Sequence, residues 1–89
     1  MKLEISLPYS TSEIVGKRKL VLSFEREQVS LADVIDCISR MHGEKVKTSL
    51  LDSEGKLQYH FFVNGNSQDP AKPLKNGDHV VLLDPISGG

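Results

Sequence analysis

The sequence predicts an α+β fold, a mixed sheet of four to five strands packed on one main helix. Three observations lead there. Leu3, Ile5 and Leu7 alternate with Lys2, Glu4 and Ser6. Leu57, Tyr59, Phe61 and Val63 alternate in the same way. Between them, Leu31, Val34, Ile35, Ile38 and Met41 recur at helical spacing. A period of two marks a half-buried strand, and a period of 3.6 marks an amphipathic helix.

The first strand is expected over residues 2–7, and Pro8 ends it. Residues 8–18 are rich in Pro, Ser, Thr, Gly and charge, and read as a loop with a mobile tip. A second strand follows over 20–24, with Leu20, Leu22 and Phe24 on one face. Ser30 is a good N-cap and Asp33 stands at N3, a capping-box pairing with an acidic first turn. Gly43 stands where a helix would end, so the helix is assigned to 31–42. His42 falls near its apolar stripe and is expected to be partly covered. Residues 44–56 are mostly polar. Leu50 and Leu51 form a short strand or an anchor there, and Asp52-Ser53-Glu54-Gly55 reads as a turn.

The third strand closes at Asn64-Gly65, a type I′ hairpin signal. Residues 66–76 wander through Pro70 and Pro73, with Leu74 as the core anchor. Asn76-Gly77-Asp78 turns the chain into a last strand, 79–83. Strand, strand, helix, strand, strand is the ubiquitin-like β-grasp layout, read here as a single domain over 1–89 with a flexible C-terminal tail, 85–89. The expected core comprises Leu3, Ile5, Leu22, Phe24, Val34, Ile35, Ile38, Phe61, Val63 and Leu82.

Composition narrows the function. The chain has 89 residues, 38% hydrophobic and 26% charged, which suits a small globular fold rather than a disordered chain. Eleven basic and twelve acidic residues balance to a net charge of -1, against the basic excess of a nucleic-acid binder. Cys37 is the single cysteine, so no intrachain disulfide forms and a reducing compartment is implied. No apolar run approaches the ~20 residues of a membrane span, and the N-terminus lacks the apolar core of a signal peptide. A cytoplasmic location is expected.

Enzyme constellations are missing. His42, His60 and His79 lack metal-ligand spacing, so no metal and no bound cofactor is expected. His60 is expected in solvent. Cys37 and His42 lie five apart on a helix and share no face, so Cys37 is placed at the core edge rather than as a nucleophile. The glycines at 43, 55, 65 and 77 are single turn residues, not a phosphate loop.

Two features remain. Val80, Val81, Leu82 and Leu83 are all apolar, although only alternate residues of a half-exposed strand face the core. Phe62 likewise points away from Phe61 and Val63. Either loops cover both faces of the last strand, or Phe62, Leu83 and Ile86 form a docking patch. The other feature is the end, Ile86-Ser87-Gly88-Gly89. Two residues without Cβ make a thin, φ-permissive tail that a narrow active site can admit. Residues 85–89 in extended form reach about 17 Å.

Phe62-Val63-Asn64-Gly65, then Pro73-Leu74-Lys75-Asn76-Gly77-Asp78-His79-Val80, then Asp84-Pro85-Ile86-Ser87-Gly88-Gly89 together resemble the MoaD/ThiS sulfur-carrier family, ubiquitin-like β-grasp proteins. The length is closer to the molybdopterin synthase small subunit (MoaD) branch. The chain departs in Asp84-Pro85, where many MoaD proteins have two prolines, and in Leu83, where an aromatic residue is common. The resemblance implies that the first and last strands pair side by side at the sheet centre.

It also implies that Gly89 is the reactive group. A ubiquitin-activating-type adenylyltransferase (MoeB/ThiF-like) uses ATP to adenylate its carboxylate. A persulfide then converts it to a thiocarboxylate, which gives its sulfur to an acceptor enzyme such as a molybdopterin synthase large subunit (MoaE-like). The protein would thus be a carrier in cofactor biosynthesis, of molybdopterin type, and not an enzyme. The alternatives are a ubiquitin-like modifier conjugated through Gly89 to lysines, and a non-covalent ubiquitin-like interaction module. No nucleic acid or membrane partner is expected.

Overall fold

Strand alternation is seen at once in the burial of the first segment. In the computed structural model, which describes residues 1–83, β1 runs Lys2–Ser6 and buries Leu3 and Ile5 while Lys2 and Glu4 face solvent. β2 (Lys19–Ser23) pairs antiparallel with it, Leu3 opposite Leu22 and Ile5 opposite Leu20. β5 (His79–Leu83) pairs parallel with β1 on its other side, Ile5 opposite Val80. β3 (His60–Val63) pairs antiparallel with β5, and the two-residue β4 (Asn66–Ser67) pairs with β3. The order β2-β1-β5-β3-β4 puts the first and last strands together at the centre. This is the ubiquitin-like β-grasp topology.

Three helices join the sheet. The long one, α2 (Leu31–His42), has the predicted bounds, and Leu31, Val34, Ile35 and Ile38 are buried. Its capping box is complete. The Asp33 N–H donates to Ser30 Oγ at 3.1 Å, and the Ser30 N–H donates to Asp33 Oδ2 at 3.0 Å. That backbone donation, aided by the Ser30 hydroxyl and by nearby Arg26, holds the Asp33 carboxyl below the usual carboxylate range. The folded-state value is therefore the lower one. The stabilisation is present above the unfolded carboxyl's pKa and is lost as pH falls through the depressed folded value. Ser30→Ala is expected to cost about 1 kcal/mol in chemical denaturation at neutral pH. The difference from wild type should largely persist in acid, because the variant keeps the residue 30 N–H that donates to Asp33 and loses the hydroxyl that accepts from the Asp33 N–H.

The helix departs from expectation in its last turn. Met41 is 54% exposed, and His42 is exposed rather than partly covered. Ser39 takes the buried position after Ile38, and Val46 of the next helix, fully buried, joins the same core beyond it. The last turn therefore has no apolar layer left to cover Met41 and His42.

Two short helices were not legible. Residues 8–18 contain α1 (Tyr9–Val15) instead of a loop. Pro8 stands at its N-cap, and Gly16 ends it at φ 87°, donating to the Ser12 carbonyl at 2.7 Å. The polar residues that read as loop signals are partners. Thr11 is fully buried, with its hydroxyl 2.6 Å from Ser49 Oγ, and the Ser12 hydroxyl donates to the Tyr9 carbonyl at 2.6 Å. Residues 44–56 contain α3 (Lys45–Leu50), which buries Val46 and Leu50. Leu50 is thus an anchor within a helix, and Leu51 forms a single bridge with Leu57. Both helices are shorter than an isolated chain can sustain. They exist because α1 packs on α3 and α3 packs on α2.

The rest follows the expected lines. Asn64 and Gly65 have φ 52° and 85°, the paired positive values of a type I′ turn. Leu74 is fully buried and bridges Val29, whose carbonyl accepts from the Leu74 N–H at 2.7 Å. All the expected core residues are buried except Phe24, which is half-buried against the core. Cys37 is half-buried at the core edge, as expected. The expected tail, 85–89, lies outside the described residues.

Candidate functional site

Strand parity builds the site. Val80 and Leu82 point into the core and are buried, so Val81 and Leu83 must point to the opposite, open face of the sheet. Phe62, flanked by buried Phe61 and Val63, points the same way. The register places Phe62 opposite Val81 and His60 opposite Leu83. Phe62 and Val81 are half-buried, and Leu83 is 50% exposed. His60 is exposed, and its ring tilts against that of Phe62 at a centroid distance of 6.4 Å. Among the described residues nothing fully covers the open face of the last strand, where Leu83 is half exposed. Of the three residues expected in a patch, Phe62 and Leu83 lie diagonal to each other on the same face of the sheet. Ile86 lies outside the described residues, as do Ser87, Gly88 and Gly89.

The family-like motifs lie at the other end of the same strands. The Asn64 side chain donates to Asp78 Oδ1 at 2.9 Å and accepts from the His79 N–H at 2.9 Å. Asp78 Oδ2 accepts from the Lys75 N–H at 2.8 Å. Asn76 and Gly77 grip β1, with the Lys2 N–H donating to Asn76 Oδ1 and the Gly77 N–H to the Lys2 carbonyl, both at 2.7 Å. Asn64-Gly65 and Asn76-Gly77-Asp78 are thus clasps that set the register of β3, β5 and β1. With that register set, Leu83 stands at the far end of β5, six residues before Gly89.

The start of α1 lies at this same end of the sheet. Ser10 Oγ is 2.8 Å from the hydroxyl of Tyr59, the residue just before β3. Tyr9 beside it is 62% exposed. His79 has its Nε2 3.1 Å from Ser6 Oγ. Among the described residues no three His, Cys, Asp or Glu side chains are grouped to hold a metal ion, and no helix is long and apolar enough to cross a membrane. Two exposed apolar residues escaped the sequence reading, Tyr9 and Val21. The signal for Val21 was present, because it stands between inward Leu20 and Leu22 and must face outward.

Comparison with known proteins agrees with this architecture. The model of the ThiS family matches residues 5–89. No curated protein sequence matches the chain. Small archaeal modifier protein 1 of Haloferax volcanii is similar in structure, with a TM-score of 0.80 at 18% identity, over 96% of this chain and 98% of that one. A putative molybdopterin converting factor subunit 1 of Pyrococcus furiosus has a TM-score of 0.71 at 17% identity, over 97% and 99%. A chain of the Amycolatopsis orientalis BexX/CysO complex has 0.71 at 21%, over 98% and 99%. The molybdopterin-synthase branch, expected from the length, is not singled out by these likenesses. What they share is the fold, and the family match covers nearly the whole sequence. The chain belongs to the ThiS family of ubiquitin-like β-grasp proteins.

Proposed function

We propose that the protein is a ubiquitin-like modifier, activated at its Gly89 carboxylate and joined through it to lysine amines of other proteins. The observation that carries this reading is the family match through residue 89, which takes in Gly88-Gly89. The modifier use is supported by the likeness to small archaeal modifier protein 1 of Haloferax volcanii, at a TM-score of 0.80. A carboxylate is a poor electrophile. An activating enzyme of the ubiquitin-activating type would transfer AMP from ATP to it, releasing pyrophosphate. A lysine amine then attacks the acyl carbon, AMP leaves, and the amine proton passes to a base. Catalysis belongs to the partners, and this chain supplies the acyl group and the surface that is recognised.

The second reading, favoured by the ThiS family model itself, is a sulfur carrier. There the terminal sulfur of an enzyme persulfide attacks the acyl-adenylate, AMP leaves, and a second thiol cleaves the resulting acyl disulfide, forming a disulfide with the enzyme and freeing Gly89 as a thiocarboxylate for an acceptor enzyme. Both readings share the adenylate and part at the acceptor. Mass spectrometry of the carrier isolated from its own cells, and of the lysine-containing peptides of the same extract, separates them. Lysines bearing the remnant that trypsin leaves, the segment 76–89 after Lys75, support the modifier. A thiocarboxylate mass on the chain without such remnants replaces it by the carrier.

The recognised surface on this reading is the open-face patch of Phe62, Val81 and Leu83. Leu83→Asp places a charge where partner contact removes water, with no counter-charge to pair it. Affinity for the activating enzyme is expected to fall more than about tenfold. The melting temperature should stay near wild type, because Leu83 is already half exposed. Unchanged affinity, measured by titration calorimetry, would remove Leu83 from the surface.

A further inference from the structure

β2 forms an open edge of the sheet. Among the described residues no strand pairs with its outer side. Its hydrogen bonds to β1 use the even-numbered residues. The Leu7 N–H donates to the Arg18 carbonyl at 2.8 Å, and the Phe24 N–H to the Met1 carbonyl at 2.8 Å. In an antiparallel ladder the bonding side alternates. The N–H and C=O groups of Lys19, Val21 and Ser23 therefore point outward along the open edge. The same three side chains are exposed, and Val21, at the middle of the strand, is 68% exposed.

An open edge with a central exposed valine is a template for another strand. The charges around it select which one. Lys17 and Arg18 precede the strand and Lys19 opens it, while Glu25 and Glu27 follow it with Arg26 between them, 3.6 Å from Asp33. All six are exposed. Such a strand is complementary to itself when the two run antiparallel, because the basic start of each meets the acidic end of the other. A parallel pairing would stack the like charges.

We propose that β2 is a homodimer interface, in which two copies pair antiparallel about a two-fold axis at Val21 to form one continuous sheet. In that register Val21 opposes Val21 of the second copy, and Lys19 opposes Ser23. These are the residues whose backbone groups point outward, so each N–H meets a carbonyl across the axis. On the core side Leu20 opposes Leu22 of the second copy. Arg18 opposes Phe24, placing a guanidinium at an aromatic ring. Leu20 and Phe24 are only half-buried in the single copy, and this pairing covers their remaining surface. Lys17 opposes Glu25 on both sides of the axis. Lys19, which as an edge lysine would discourage pairing with a like-charged strand, faces serine and lies diagonal to Glu25. This association leaves Phe62 and Leu83, two strands and more away in the sheet order, open to other partners.

Sedimentation equilibrium of the full chain from about 10 μM to about 1 mM tests it. A monomer–dimer equilibrium is expected. Val21→Pro removes an outward N–H that β1 does not use, and should leave the protein monomeric and folded. Lys17→Glu should raise the dimer dissociation constant about tenfold, and the double variant Lys17→Glu, Glu25→Lys should restore it. A wild-type chain that is monomeric throughout overturns the proposal. So does a dimer that survives both Val21→Pro and Lys17→Glu, since its interface lies elsewhere. If circular dichroism shows Val21→Pro unfolded, the charge exchange decides alone, and a dissociation constant indifferent to Lys17→Glu overturns the proposal.

Discussion

Deleting Gly88 and Gly89 is expected to abolish ATP-dependent activation while leaving the melting temperature nearly unchanged. The two effects separate because they reside in different parts of the chain. Among the described residues every buried core residue lies from Leu3 to Leu82, so the deletion removes none of that packing. On the proposed function the same deletion removes the electrophile. The new terminal carboxylate, on Ser87, sits two residues nearer the body, about 7 Å short of its former reach in an extended chain. Nucleophile and phosphorus must meet within van der Waals range, so a displacement of that size stops the reaction. Adding one residue after Gly89 should have the same effect by carrying the carboxylate past the site. Pyrophosphate exchange with the cognate activating enzyme reads the first effect, and a thermal melt reads the second. A truncated protein that is still adenylated would leave both covalent readings without support. The non-covalent interaction module would then remain.

Ile38→Ala is expected to destabilise the fold by about 2–5 kcal/mol, the range for truncating a buried aliphatic side chain to alanine. Ile38 is fully buried and belongs to the one cluster that joins α2 to the sheet residues Leu3, Ile5, Phe61, Val80 and Leu82. The loss combines the transfer free energy of the removed carbons with a cavity that the surrounding strands cannot close. A domain of this size has only a few kcal/mol in hand, so the variant should be partly unfolded at 37 °C. Urea denaturation at 25 °C measures the difference. A value near zero would mean that α2 does not seal the core. The neighbouring position Met41 gives the internal control. At 54% exposed, Met41→Ala should change stability by no more than about 0.5 kcal/mol.

The patch at Phe62 and Leu83 was half legible. An apolar run from Val80 to Leu83 cannot all face one side of a strand, so parity alone shows that some of it faces outward. Parity cannot say whether a loop covers that outward face. Only the packed structure shows Leu83 exposed and Val81 half-buried. Val21 obeys the same rule and was overlooked. Its standing as the middle of an open edge depends on the strand order, which no local pattern encodes.

The sequence by itself determined the local features whose causes are local. Side-chain alternation fixed the faces of β1, β3 and β5. The Ser30–Asp33 box fixed the start of α2, and Asn64-Gly65 fixed a turn with two positive φ values. Each depends on residues within a few positions of one another. Tertiary structure decided the rest. The central pairing of β1 with β5 joins Ser6 to Val81 across most of the chain, and α1 and α3 are too short to hold without each other. Thr11 and Ser12 favour loops when read alone, yet they are buried in a helix because Ser49 and the Tyr9 carbonyl satisfy their hydroxyls. His42 and Met41 fit a helical stripe when read alone, yet they are exposed because the core ends at Ser39 and Val46. For the β1–β5 pairing, the packing of α1 on α3 and the Thr11–Ser49 hydrogen bond, the deciding free energy comes from a partner distant in sequence, which a window of neighbouring residues does not contain.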